Sequence, residues 1–103
     1  MKAEDREIVE SPLYQGEDES IAYSLTTTPW GSSPTSIVVK AYELDGTDVT
    51  STVLSGSASV TNDVITMPAI VSLTDGTVYR IEVKFTDSDG NIWEPYFYVN
   101  GQE

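Results

Sequence analysis

The stretch Val78-Tyr79-Arg80-Ile81-Glu82-Val83-Lys84-Phe85-Thr86 decides the fold. Tyr79, Ile81, Val83 and Phe85 occupy every second position, and Val78, Arg80, Glu82, Lys84 and Thr86 fill the alternate ones. Unbroken alternation puts the apolar set on one face of an extended strand. A slip of one residue would turn that whole set to solvent, so the pattern specifies register as well as conformation. The expectation is a β-strand whose apolar side is buried against a second sheet.

Working outward, Asp87-Ser88-Asp89-Gly90-Asn91 reads as a turn. Ile92 to Val99 returns as a strand with Trp93, Phe97 and Val99 inward, and Pro95 points to a bulge or an edge position. Upstream, Ser20 to Thr26 sets Ile21, Tyr23 and Leu25 on one face. Thr27 to Pro34, with two prolines and a glycine, is a loop. Ser36 to Leu44 is a strand with Ile37, Val39 and Ala41 inward and Lys40 outward, ending at the hairpin signal Asp45-Gly46. Asp48 to Leu54 reads as a weaker, threonine-rich strand, and Ser57–Val60 with Val64–Met67 as a short hairpin limited by Pro68. Ile8 to Ser11 is a candidate edge strand broken by Pro12, Gln15 to Glu19 an acidic turn, and residues 1–7 a flexible acidic tail. The sum is one domain over residues 8–100, all-β, an antiparallel β-sandwich of about seven or eight short strands.

Leu73-Thr74-Asp75-Gly76-Thr77-Val78-Tyr79 resembles the tyrosine corner of immunoglobulin-like and fibronectin type III domains. The resemblance implies an immunoglobulin-like sandwich in which the Tyr79 hydroxyl returns to the backbone a few residues upstream. In that corner Leu73 plugs the base of the core and Gly76 lets the chain turn. The chain as a whole resembles small acidic immunoglobulin-like proteins of bacteriophages and prophages, through Thr27–Trp30, Asp48–Gly56 and Leu73–Phe85. That likeness implies an accessory structural protein, made in the bacterial cytoplasm and carried in a virion. It brings no catalytic or binding motif with it.

Composition narrows the functional classes. The 103 residues contain neither cysteine nor histidine, which removes disulfides and the usual nucleophile–base pairs. No enzymatic activity, cofactor or metal is expected. A net charge of -12 disfavours nucleic acid and anionic membrane as partners. The residues after Met1 lack the apolar core of a secretory signal, and the charged ends read as those of a complete small protein.

Asp87, Asp89 and Asn91 place oxygen ligands at alternate positions, as calcium loops do, but Gly90 falls out of the EF-hand order. The hairpin use of Asp, Gly and Asn is the simpler reading. Glu17-Asp18-Glu19 reads as a solvated turn, and Glu94 as an outward residue beside Trp93. The aromatic residues are the better lead. Trp30 sits in a loop where it either anchors a partner or folds over the core, and Tyr96 and Tyr98 form an outward stripe beside an edge. The expected function is therefore a non-enzymatic structural or protein-interaction module that binds itself or a larger structural protein. The alternative is a carbohydrate-binding or adhesion domain.

Overall fold

A computed structural model describes Glu7, Ile8 and residues 11–103. The protein is all-β with several sheets, an arrangement compatible with a β-sandwich. Its strands are β1 (Leu13–Gly16), β2 (Ser24–Thr26), β3 (Thr35–Glu43), β4 (Leu54–Ser55), β5 (Ser59–Thr61), β6 (Val64–Thr66), β7 (Ala69–Ile70), β8 (Val78–Thr86), β9 (Ile92–Trp93) and β10 (Tyr96–Gln102). A single helical turn, α1 (Thr50–Val53), precedes β4. The expected tail lies outside the described residues except for Glu7, which bridges to Tyr96. Val9 and Glu10 of the expected first strand also lie outside them.

Strand β8 spans the nine residues expected of it and is paired on both sides, with β3 and with β10. The largest sheet runs β1-β10-β8-β3, with β9 also on β8. The inward side chains of β8 are buried, from Tyr79 at 2% exposed to Phe85 at 0%. They share one core with Ala41, Phe97 and Val99 of the same sheet, with Leu25, Ile65 and Ile70 of the smaller sheets, with Val53 of α1 and with Met67 just after β6. Those smaller sheets are β2-β6-β5 and β4-β7, joined by the bridge between Ile21 and Ile70.

Three expectations need correction. The sheets are not purely antiparallel, because β1 runs parallel to β10, with Leu13 opposite Val99. The Asp48–Leu54 strand is replaced by α1 and the two-residue β4. Side chains there compete with the ladder. Asp48 Oδ1 accepts the Thr50 N–H at 2.9 Å, and Thr50 Oγ1 accepts the Ala41 N–H at 3.0 Å. That leaves Val53 in the core, 1% exposed. The Gln15–Glu19 turn begins later than expected, because Gln15 belongs to β1 and is fully buried. Its Nε2 donates to the Ile70 and Glu19 carbonyls at 2.7 and 3.0 Å, and its Oε1 accepts the Tyr23 hydroxyl at 3.0 Å. One amide thus ties β1 to the opposite layer.

The turn into β8 is closed by Tyr79, whose Oη accepts the Thr74 N–H at 2.9 Å. Leu73 is buried beside it, and Gly76 holds a φ of 82° that a side chain would strain. Gly101 fastens this turn to β10, accepting from Gly76 N–H at 3.0 Å and donating to the Thr77 carbonyl at 2.9 Å. A Cβ at Gly101 would run into the Thr74 carbonyl oxygen.

These contacts set expected stabilities for two variants, measured by urea unfolding. Tyr79→Phe keeps the ring but strands the Thr74 N–H and should cost about 1 kcal/mol. Phe85→Ala opens a cavity in the core and should cost about 3–5 kcal/mol. A Tyr79→Phe loss as large as that of Phe85→Ala would contradict this division of roles.

Candidate functional site

The alternation that buries one side of β8 sends Arg80, Glu82 and Lys84 to the other. Register then fixes their neighbours. Arg80 lies between Tyr42 and Tyr98, Glu82 between Lys40 and Tyr96, and Lys84 beside Val38. Farther along, Val78 is followed by Asn100 and then by Tyr14, which is 61% exposed. The outer face of the large sheet therefore carries four of the chain's six tyrosines. It also carries Lys40, Arg80 and Lys84, all of the lysine and arginine among the described residues.

These side chains hold one another in place. The Arg80 guanidinium pairs with Glu82 at 2.6 Å and lies 5.7 Å from the centre of the Tyr96 ring. Tyr96 and Tyr98 pack edge to face with centroids 5.6 Å apart, a favoured aromatic geometry. A hollow of about 290 Å³ lies over Tyr42, Arg80 and Tyr98 and is bounded by Glu43, Leu44 and Gly46. Tyr96 and Tyr98 thus point outward as expected, but their strand is internal to the sheet. Pro95 marks the break between β9 and β10 and not an edge. The sequence named two residues of this face as partner-binding. Tyr14 and Tyr42 were missed because nothing local says which strands become neighbours.

Trp30 occupies a different environment. Its side chain is 9% exposed and forms a wall of an apolar cleft of about 360 Å³ beside Leu25, Met67 and Phe97. The ring is packed and does not stand free on its loop. That end of the molecule is cross-tied. Thr27 N–H donates to the Asp63 carbonyl, Ser33 N–H to Asp63 Oδ1, and Ser88 N–H to the Ser32 carbonyl.

Asp87 anchors the same end. Its Oδ1 accepts the N–H groups of Asp89 and Asn91, and its Oδ2 accepts the indole N–H of Trp93, each at 2.9 Å. Both oxygens are committed to N–H donors, so the loop uses this carboxylate as a turn-former. A Cβ on Gly31 would collide with the Asp87 side chain, which explains the glycine after Trp30. Among the described residues no three carboxylates converge as metal ligands would.

The Trp93 hydrogen bond, followed by those from Asn91 and Asp89, holds the Asp87 carboxyl below its ordinary value of 3.8, against the opposing effect of burial. The unfolded chain binds this proton more readily. The stabilisation is therefore complete above about pH 4 and drains away as pH falls through the lower folded value. Thermal melts should show Tm falling with acid below that point. Asp87→Ala should lower Tm at neutral pH and flatten the acid slope. The slope that remains belongs in part to Asp45 and Asp48, which hydrogen bonds from Thr47 and Thr50 hold low in the same way. An unchanged acid slope in Asp87→Ala would contradict the assignment.

No protein-family model, curated protein or solved structure matches this chain.

Proposed function

We propose that this protein is a non-enzymatic protein-interaction module on an immunoglobulin-like sandwich, and that it serves as an accessory structural component of a phage or prophage particle. Strand order supports the immunoglobulin-like reading. One layer runs β10-β8-β3, which corresponds to the last, sixth and third strands of a seven-strand plan, and β1 joins its edge where that plan sets the first strand in the other sheet. The other pairs the second strand with the fifth and the fifth with the fourth, through β2-β6-β5 and β4-β7. The Tyr79 hydroxyl bond to Thr74 supports it further, since it closes the turn as a tyrosine corner does.

The outer face of the large sheet carries the interaction reading. Tyrosine and arginine are the residues enriched where proteins bind, because they offer broad, rigid, amphipathic contact. The strand edges are less suited to the task. On β3 the outer edge is closed over residues 41–43 by the segment 47–50 and interrupted by a bulge between Thr35 and Val38. Strand β1 has only four residues and follows Pro12. Short, bulged, proline-flanked edges are the devices that discourage strand addition. The loop end that would suit glycan binding keeps its tryptophan ring packed.

Density-gradient fractionation of cells that make the protein tests this reading. The wild-type chain should sediment with a large assembly. Tyr96→Ser/Tyr98→Ser should move it to the soluble fraction through about a tenfold or greater loss of affinity. A wild-type chain found wholly in the soluble fraction would contradict the proposal.

A further inference from the structure

We infer that the outer edge of β2, with the apolar cleft beside it, accepts an extended segment of another protein, one with alternating apolar side chains and lysine or arginine at its ends. This site is separate from the outer face of the large sheet. It exists because β1 lies on β10, so no described strand flanks β2 on the side away from β6. In a seven-strand sandwich the first strand takes that place.

Two observations meet there. The first is an unspent strand edge. Residues 21–27 follow 63–70 in register, as the N–H groups of Ile21, Met67 and Thr27 donate to the carbonyls of Ile70, Tyr23 and Asp63. Antiparallel pairing then turns the N–H and C=O groups of Ala22, Ser24 and Thr26 outward, and none of them has a backbone partner among the described residues. Their side chains are small, neutral and exposed, with no charge or proline from Ile21 to Thr28. The edge thus lacks the charge, proline and bulge that discourage strand addition. The second observation is the cleft of about 360 Å³, which lies between this edge and the chain at Ile8 and Leu13. Leu25, Trp30, Met67 and Phe97, which line it, belong to the core. A strand bonded to β2 would send every second side chain into the cleft, so one segment would satisfy the edge and fill the cavity.

Charge selects the ends of the segment. The described charged groups that border the cleft are carboxylates. Glu7 accepts the hydroxyl of Ser11, Glu19 acts on the Tyr23 hydroxyl, and Asp63 pairs with Thr27 at the loop end of β2. Lys40, Arg80 and Lys84, all the lysine and arginine among the described residues, lie on the outer face of the large sheet, with that sheet between them and the cleft. In the sequence before Glu7, Lys2 and Arg6 are balanced by Glu4 and Asp5. The field at the cleft therefore favours cationic ends. A second copy is a poorer occupant. Its β2, paired edge to edge, would keep Leu25 in its own core, leave the cleft empty and bring like carboxylates together. A small apolar molecule would leave the outward N–H and C=O groups unspent.

Residue-resolved amide exchange of the full chain, with the capped peptide Lys-Ile-Thr-Val-Thr-Ile-Lys as probe in about 0.15 M salt, tests the inference. In the free chain the Ser24 and Thr26 amides should exchange rapidly. Peptide should slow them by about tenfold or more, saturating with a Kd of about 10–100 μM. Two N-methylated forms of the peptide, one for each alternate set of its amides, keep every side chain. The form blocked on the set that faces β2 should not bind, and the other should bind as the parent does. Glu-Ile-Thr-Val-Thr-Ile-Glu should bind about tenfold or more weakly. No slowing at about 1 mM peptide, N-methylated forms that behave alike, or equal binding of the glutamate-ended peptide would each overturn the inference. So would Ser24 and Thr26 amides that are already slow in the free chain, or that slow as its own concentration rises, because the chain itself or a second copy would then cover the edge.

Discussion

The hydrogen-bonded pairing of β8 with β3 on one side and β10 on the other is the constraint from which the other features follow. It makes β8 a nine-residue strand with a neighbour along each flank. With one face against the core, its side chains have no freedom of register, because any slip would exchange Tyr79, Ile81, Val83 and Phe85 for Arg80, Glu82 and Lys84. Each of those four buried side chains contributes roughly 1.5–3 kcal/mol of transfer free energy, and each is set against lost conformational entropy. The candidate interaction face is the other half of the same alternation. What cannot be buried on β8 is displayed, and the flanking strands bring Tyr42, Lys40, Tyr96 and Tyr98 into line with it.

A chain of this size without cysteine has no covalent reinforcement, and it uses buried polar ties at points where the layers or loops would otherwise separate. Gln15 spans β1 and the opposite layer with both amide protons and its oxygen engaged. Asp87 gathers the 87–91 turn and the Trp93 indole. Burial pushes the Tyr23 hydroxyl above its ordinary pKa, with the nearby Glu19 carboxylate adding to the effect. A phenol that stays protonated is a dependable donor to Gln15. These groups tie loops and sheets together while leaving the outer face of the large sheet to other contacts.

Legibility in the sequence tracked how local each signal was. Strand β8 was read with its boundaries intact because its information is a periodicity carried wholly within the strand. The short hairpin was legible from its turn residues, expected as Ser57–Val60 and Val64–Met67 about Thr61-Asn62-Asp63; Thr61 instead joins β5 opposite Val64, which leaves Asn62 and Asp63 as the turn. The Asp48–Leu54 segment was misread as a strand because valine and threonine favour extended backbone. Its helical turn depends on Thr50 reaching Ala41, a contact between separate segments. Gln15 was lost in a polar run, since no local feature distinguishes a glutamine that bridges two layers from one in a turn. Tyr96 and Tyr98 were legible as an outward pair, but their assembly with Tyr14, Tyr42 and Arg80 depends on a parallel first-to-last strand pairing that alternation does not encode.

Native-state hydrogen exchange, resolved by residue, examines the central strand most directly. If β8 is locked between β3 and β10 with its inner face in the core, the amides of residues 79–85 should be among the slowest to exchange, opening only when the whole domain unfolds. Amides of β8 that exchange as fast as those of the short β4 and β5, or of the exposed turns, would show that the sheet is not organised around this strand, and the face built on it would lose its foundation.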